Sequence, residues 1–294
     1  MPSSGLISRV AVLLAALAVS ACSMVVIGYH SAPSLVYWRL DQALDFDSAQ
    51  GADVRARLDR LHAWHRANEL RDYARFLAEV QGRIGSTLSA ANVTRVHDEI
   101  RRRYLRILDA AAPDAVEVVL GLRGEQLEAL DRRFARMRED FRRQRIDVGP
   151  ERAREDMYHH ALKTLERWHG EFDPLARERL RRIAAEIPSD TRLELEDLRR
   201  YQGELLLFLR AVVARQVTGR DKIGERLKRF FGRWEEGRTP AYAEYAEKNR
   251  LALHRFYAEG ASLAAPEQRS RVRREIQHYI DEITALVPQR AASR

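Results

Sequence analysis

A carboxylate and an imidazole one helical turn apart can share a proton or a metal ion, and the chain offers two such pairs. Asp59-Arg60-Leu61-His62 and Glu166-Arg167-Trp168-His169 each place an acid and a histidine at i, i+3 on one helix face. Di-iron helical bundles use the Glu-x-x-His form of that spacing. His65 and Glu69 add an i, i+4 pair nearby. His62, His65, Glu69, Glu166 and His169 are therefore the candidate ligands for a metal site, which would need contributions from at least three helices. A second reading of the same residues is structural. His62 lies beside the Leu58/Leu61 stripe, Trp64 and Trp168 are core anchors, and His65 and His169 sit where they can finish helix ends. That reading predicts neither metal nor cofactor. No Gly-rich phosphate loop follows a strand, and neither a nucleophile elbow nor an H-E-x-x-H motif occurs. The 43 acidic residues are scattered too evenly to nominate a catalytic pair, so no catalytic residue is assigned and a non-enzymatic role is expected.

The other chemically distinctive residue is Cys22, the one cysteine of the chain. A lone thiol has no disulfide partner and needs another explanation. Arg9 supplies a positive charge, Val10 to Val19 is a ten-residue apolar run, and Val19-Ser20-Ala21-Cys22 follows directly. The run is short of the about 20 residues a membrane-crossing helix requires, but it suits a signal peptide. The apolar-small-small-Cys ending resembles the bacterial lipobox. There, small residues enter the peptidase cleft and the thiol takes a diacylglycerol, with further acylation making the anchoring stable. Two alternatives remain: ordinary signal cleavage with an incidental cysteine, or an uncleaved helix from Val10 to Ile27. Ser23 in place of Asp after the cysteine resembles the sorting signal for the outer membrane, periplasmic side.

These residues must be positioned by helices, because apolar spacing of period 3.6 runs through nearly everything beyond residue 34 and no stretch alternates like a strand. Val54, Leu58, Leu61 and Trp64 form one stripe. Tyr73, Phe76, Leu77, Val80 and Ile84 form another, and a long helix is predicted from about Asp190 to Val217. Asp47-Ser48-Ala49-Gln50 reads as a capping box. Asp173-Pro174 and Thr239-Pro240 each set a capping oxygen before a first-turn proline. Gly85 and Gly219 are expected to close helices, and Ala112-Pro113, Gly149-Pro150 and Pro188 to fall between them. Short connections favour antiparallel neighbours, so the fold predicted is all-α, an elongated bundle of about ten to twelve antiparallel helices. The organisation expected is a signal peptide over 1–21, a lipidated cysteine and tether over 22–34, an N-terminal bundle over 35–148 and a C-terminal bundle over 149–294.

The chain is basic, with formal net charge +8, and four residues (Lys163, Lys222, Lys228, Lys248) are its only lysines. Runs such as Arg101-Arg102-Arg103 are interspersed with acids, and charged residues make up 32%. That balance describes solvated helix faces rather than a nucleic-acid surface. The partners expected are the membrane, through lipid on Cys22, and other envelope proteins.

Tyr37-Trp38-Arg39-Leu40-Asp41 leads into Asp47-Ser48-Ala49-Gln50, then Leu61-His62-Ala63-Trp64-His65-Arg66 with Glu69-Leu70 and Tyr73-Ala74. With Leu165-Glu166-Arg167-Trp168-His169-Gly170 and Thr239-Pro240-Ala241-Tyr242, this series resembles a family of Gram-negative lipoproteins of unknown function. The likeness spreads over nearly the whole chain behind Cys22. It implies a helical envelope lipoprotein and no activity. Phe172-Asp173 stands where an apolar-Thr pair is usual in that family, and Ala265 where a capping residue is. The apolar-cap-x-x-Gln helix start at Phe46 to Gln50 also resembles the motif of Spy-type periplasmic chaperones, which bind unfolding clients on a concave helical surface. No client-binding residues follow from that likeness. The expected function is non-catalytic protein binding or chaperone-like envelope assembly at a membrane, with a metal-binding bundle as the alternative.

Overall fold

The computed structural model describes residues 24–85, 88–233 and 235–288. The expected signal and lipidation residues Val19, Ser20, Ala21 and Cys22 lie outside the described residues, as does Trp234. Among the described residues eleven α-helices follow one another: α1 (Met24–Leu44), α2 (Ser48–Asn68), α3 (Leu70–Gly82), α4 (Ala90–Leu120), α5 (Gly124–Phe141), α6 (Pro150–His169), α7 (Pro174–Ala184), α8 (Thr191–Val213), α9 (Arg220–Gly232), α10 (Pro240–Leu263) and α11 (Pro266–Leu286). A single π turn, Arg142–Ile146, closes α5. The fold is all-α, as the periodicity required, and no strand occurs among the described residues.

Caps start the helices where the sequence places them. Asp47 Oδ1 accepts from Gln50 N at 2.8 Å while Gln50 Oε1 accepts from Asp47 N at 3.2 Å, completing the box. Asp173 accepts from Ala176 N at 2.8 Å and Thr239 from Tyr242 N at 3.1 Å. At α5 and α11 only the glutamine half survives: Gln126 and Gln268 accept from Arg123 N and Ala265 N. These boxes also meet in pairs. Gln50 donates to Gly121 O (2.6 Å), two residues before the α5 cap, and Gln268 donates to Glu171 O (2.9 Å), two residues before the α7 cap. The same bond recurs in both halves of the chain.

Three expectations about punctuation are corrected. Pro113 lies inside α4 rather than between helices. A mid-helix proline loses one backbone bond, but Ala112, Val116 and Val119 are buried on either side of it, and packing holds the helix through the break. Gly219 (φ +93°) begins α9 instead of ending α8, which stops earlier with Arg215 in the left-handed region (φ +57°). The 22–34 tether is also overturned for the part described, since residues from Met24 onward belong to α1.

The packing does not respect a divide at 149–150. One core joins Val116, Leu127 and Leu130 to Leu206, Phe208, Ile223 and Leu227, so α4 and α5 close against α8 and α9. A second core lies between α6, α7 and α10, around Leu162, Leu165, Leu180 and Phe256. A smaller third core sets Ile84 against Val272 and Ile276, with Trp168 alongside, where α3 runs against α11. Helices far apart in sequence thus share apolar surface that neither half could bury alone.

α10 approaches α6 closely at Gly260. A Cβ there would fall 3.0 Å from Leu165 Cδ2 and nearer still to Cδ1. Alanine gains about 1 kcal/mol over glycine in helix propensity, whereas overpacking a filled core costs about 1–3 kcal/mol. Gly260→Ala is therefore expected to lower the urea midpoint despite its better propensity; an unchanged or raised midpoint would show that Leu165 has room to move.

Candidate functional site

The densest set of polar side chains from the sequence motifs lies where α1, α2, α3 and α4 meet, and it begins with a proline. Pro33, inside α1, has no N–H to give the carbonyl of Tyr29 four residues back. His62 of α2 fills the gap: its Nε2 lies 3.1 Å from Tyr29 O. Because a carbonyl can only accept, Nε2 carries the proton there. The Tyr29 ring lies tilted against the His62 ring with centroids 4.4 Å apart. Its hydroxyl reaches His65 Nδ1 at 3.0 Å, and His65 Nε2 meets the Tyr73 hydroxyl at 3.2 Å. One nitrogen of a neutral imidazole accepts and the other donates, so His65 bridges two tyrosines from helices on either side of it.

Glu69 sits at the α2–α3 break, where it is only 3% exposed. Arg106 of α4 holds it with a fork, Nε to Oε1 at 3.1 Å and Nη2 to Oε2 at 2.6 Å, and also donates to Asp72 at 2.7 Å. Arg103 lies 2.9 Å from Asp72 and over the Phe76 ring. Burial alone would raise the Asp72 carboxyl, but Arg106, Arg103 and Arg75 together hold it below its usual range.

Burial is the largest influence on the two tyrosines and on His65 at this junction. Burial, and then the negative charge of Glu69, push the Tyr73 phenol up to about 12. Burial also raises Tyr29. Desolvation lowers His65 below its ordinary value of 6.5, helped by His62 and opposed by Glu69. Acid-base catalysis at neutral pH wants groups moved toward 7, and these tyrosines are moved away. The arrangement ties helices together.

The remaining two candidate ligands are elsewhere and serve a different turn. Glu166 accepts from Arg177 Nε at 2.8 Å and from Phe172 N at 3.2 Å, closing the α6–α7 connection. His169 Nδ1 donates to Leu165 O at 3.0 Å, one turn back, and Gly170 (φ +81°) ends the helix. Burial lowers this imidazole as well. The five residues singled out by spacing thus fall into two structural junctions. Among the described residues, no group of three or more His, Cys, Asp or Glu side chains is placed to hold a metal ion.

Another polar cluster escaped the sequence reading altogether. His97 of α4 meets Glu235 at 3.0 Å, its ring lies 5.2 Å from that of His254 of α10, and His254 meets Thr94 Oγ1 at 2.8 Å. Arg101 Nε lies 3.7 Å from the same Glu235, which neutralises it. No local spacing could reveal partners on α4, α10 and the segment before α10.

The fold and this junction define an all-helical protein whose first described helix is fastened to the bundle by a half-buried polar clasp. Residues 42–215 match the model of DUF6279, a family of unknown function, and the chain belongs to that family. Tyr37–Asp41 and Thr239–Tyr242, which also carried the resemblance, lie outside the matched span. No curated protein and no solved structure matches the chain.

Removing Arg106 leaves Glu69 buried without a partner. Breaking a fully buried pair costs about 3–5 kcal/mol; Arg106 is 45% exposed, so Arg106→Met is expected at or below the lower end of that range by urea titration. A loss under about 0.5 kcal/mol, typical of surface pairs, would mean that water reaches Glu69. The lowered His65 gives a separate test. The unfolded chain takes up the proton first, so the contribution is complete above about 6.5 and is lost as pH falls toward the lower folded value. His169 and His254 act in the same direction. The urea midpoint should fall between about pH 8 and pH 5, and His65→Gln should flatten that fall. Equal falls in both proteins would remove His65 from the account.

Proposed function

We propose that this protein is a lipoprotein anchored through Cys22 to the outer membrane, periplasmic side, and that its helical body binds other envelope proteins without catalysis. The observation carrying the reading is the sequence Val19-Ser20-Ala21-Cys22 behind a short apolar run, holding the chain's one cysteine. Two structural features support it. α1 begins at Met24, two residues past that cysteine, and exposes Ile27, Leu35 and Trp38 along its length, with the Arg39 guanidinium 5.2 Å from the Trp38 ring centre. Tryptophan beside a cation is a combination favoured at a membrane surface. No described helix is long and apolar enough to cross a membrane, and lipid would supply the attachment instead.

What supports a non-catalytic reading is the candidate junction, where arginines pair the carboxylates and burial pushes the Tyr73 phenol up. Exposed Leu175 and Leu251 on the body offer apolar contact points for a protein partner. Chaperone-like binding of unfolding envelope proteins is the sharper form of this reading.

Cells fed an alkyne-tagged fatty acid should label the wild-type chain and not Cys22→Ser, and the variant should leave the membrane fraction. Equal labelling of both, or none of the wild type, rejects the anchor. For the sharper form, lipidated protein in nanodiscs should suppress light scattering by a denatured client at near-equimolar ratio. Unchanged scattering rejects chaperone-like binding and leaves the anchor standing.

A further inference from the structure

α9 carries cations on two faces, and the molecule treats them differently. On the face toward α4, Arg220 pairs with Glu117 (Nη2 to Oε2, 3.1 Å) and Lys228 with Asp109 (3.2 Å). On the other face, Lys222, Arg226, Arg229 and Arg233 recur at i, i+4, i+7 and i+11, which aligns them in one stripe over three turns. All four are exposed. Arg233 is engaged by Glu236. Lys222 and Arg229 have no hydrogen-bond or ion-pair partner among the described residues, and Arg226 only lies over the Phe208 ring, 4.9 Å from its centre. Three cations in line on one helix face, each without a carboxylate partner among the described residues, leave that face with a concentrated positive charge open to an external anion.

The stripe borders an open cleft of about 380 Å³. Its inner wall holds Arg238, whose side chain is 7% exposed and whose guanidinium lies over both the Tyr201 and Phe230 rings, 4.7 and 5.0 Å from their centres. Nη1 donates to Arg233 O at 3.1 Å, whereas the buried Nε has no hydrogen-bond acceptor. Glu204, 3.3 Å from that Nε, and Glu225 are the acids of the lining, so cations outnumber them. Next to the stripe, Leu207 is 67% exposed and with Phe208 and Phe230 forms the apolar side of a small recess that Glu204 and Arg226 also line. An anion alone would have no use for that recess, and an apolar ligand none for the stripe.

We propose that this α8–α9 cleft binds a phosphate-bearing amphiphile. The phosphate lies against Lys222, Arg226 and Arg229, and the attached hydrocarbon lies on Leu207 and Phe230. Guanidinium and ammonium groups on a fixed helix suit a phosphate's several acceptor oxygens, and the neighbouring apolar surface adds area-proportional affinity. The site is independent of Cys22 and of lipidation.

The test uses full-length Cys22→Ser protein in dodecyl maltoside micelles, with dodecyl phosphate and inorganic phosphate as probes and phosphorus NMR titration as readout. Failure here therefore says nothing about the anchor. Dodecyl phosphate should bind at one site, and Arg226→Gln/Arg229→Gln should weaken it about tenfold or more, as loss of two charge-assisted contacts requires. Arg220→Gln, on the paired face, should leave binding unchanged, and circular dichroism should show all variants equally helical. Leu207→Ser should weaken dodecyl phosphate and spare inorganic phosphate. Binding that ignores the double substitution overturns the site. Inorganic phosphate binding as tightly as dodecyl phosphate, or Leu207→Ser without effect, overturns the amphiphile and leaves a simple anion.

Discussion

A carboxylate taken out of water must be neutralised where it lies, and Glu69 imposes that demand at the centre of the helix order. It stands at the break between α2 and α3, so the arginine that answers it fixes the elbow of those helices against α4. α4 in turn is the surface on which α9 and α10 pack, and α3 is the surface for α11. Through one fork of hydrogen bonds from Arg106, the placing of the first helices decides where the last ones can lie. Apolar burial supplies most of the stabilisation, but it is indifferent to small rotations of a helix. The ion pair is directional and selects one of them.

Polar groups elsewhere play the same part, and repeatedly at helix ends. Gln126, 3% exposed, donates to Leu44 O and Asp45 O and so ties the end of α1 to the start of α5. Gln50 and Gln268 each reach from one helix start to the carbonyl just ahead of another. A buried amide such as that of Gln126 is costly unless satisfied, which makes it a test of correct docking. The same glutamine-to-carbonyl bond therefore fastens a helix start in each half of the chain.

Helix identity and most helix starts could be read from residue order because they depend on neighbours three or four places away: Asp47 with Gln50, Asp173 before Pro174, Thr239 before Pro240. Pro113 misled for the same reason. A local rule makes proline a stop, but α4 is carried across it by core contacts, and in α1 the orphaned Tyr29 carbonyl finds His62 on another helix. The His-carboxylate spacings were visible and their purpose was not. Whether a histidine meets a metal, a carbonyl or a tyrosine is decided by what the fold brings opposite, as with His65 between Tyr29 and Tyr73. Contacts such as His97 with Glu235, and the interleaving of the halves, have no local signature at all. The family match is bounded differently from the physical core, since it ends near Arg215 while α9, α10 and α11 complete the packing of its members.

The clasp between Tyr29 and His62 bears on how the body would move if, as proposed, lipid holds the residue two places ahead of α1. A helix of 21 residues is about 30 Å long and, fastened to α2 and α5, behaves as a strut. A coil of similar residue count would act as a leash, letting the body tumble and sample a hemisphere. A strut confines it to a narrow cone with one flank toward the bilayer. Such a body gives up reach and gains local concentration, because whatever it grips must arrive in the correct orientation but then meets the same surface each time.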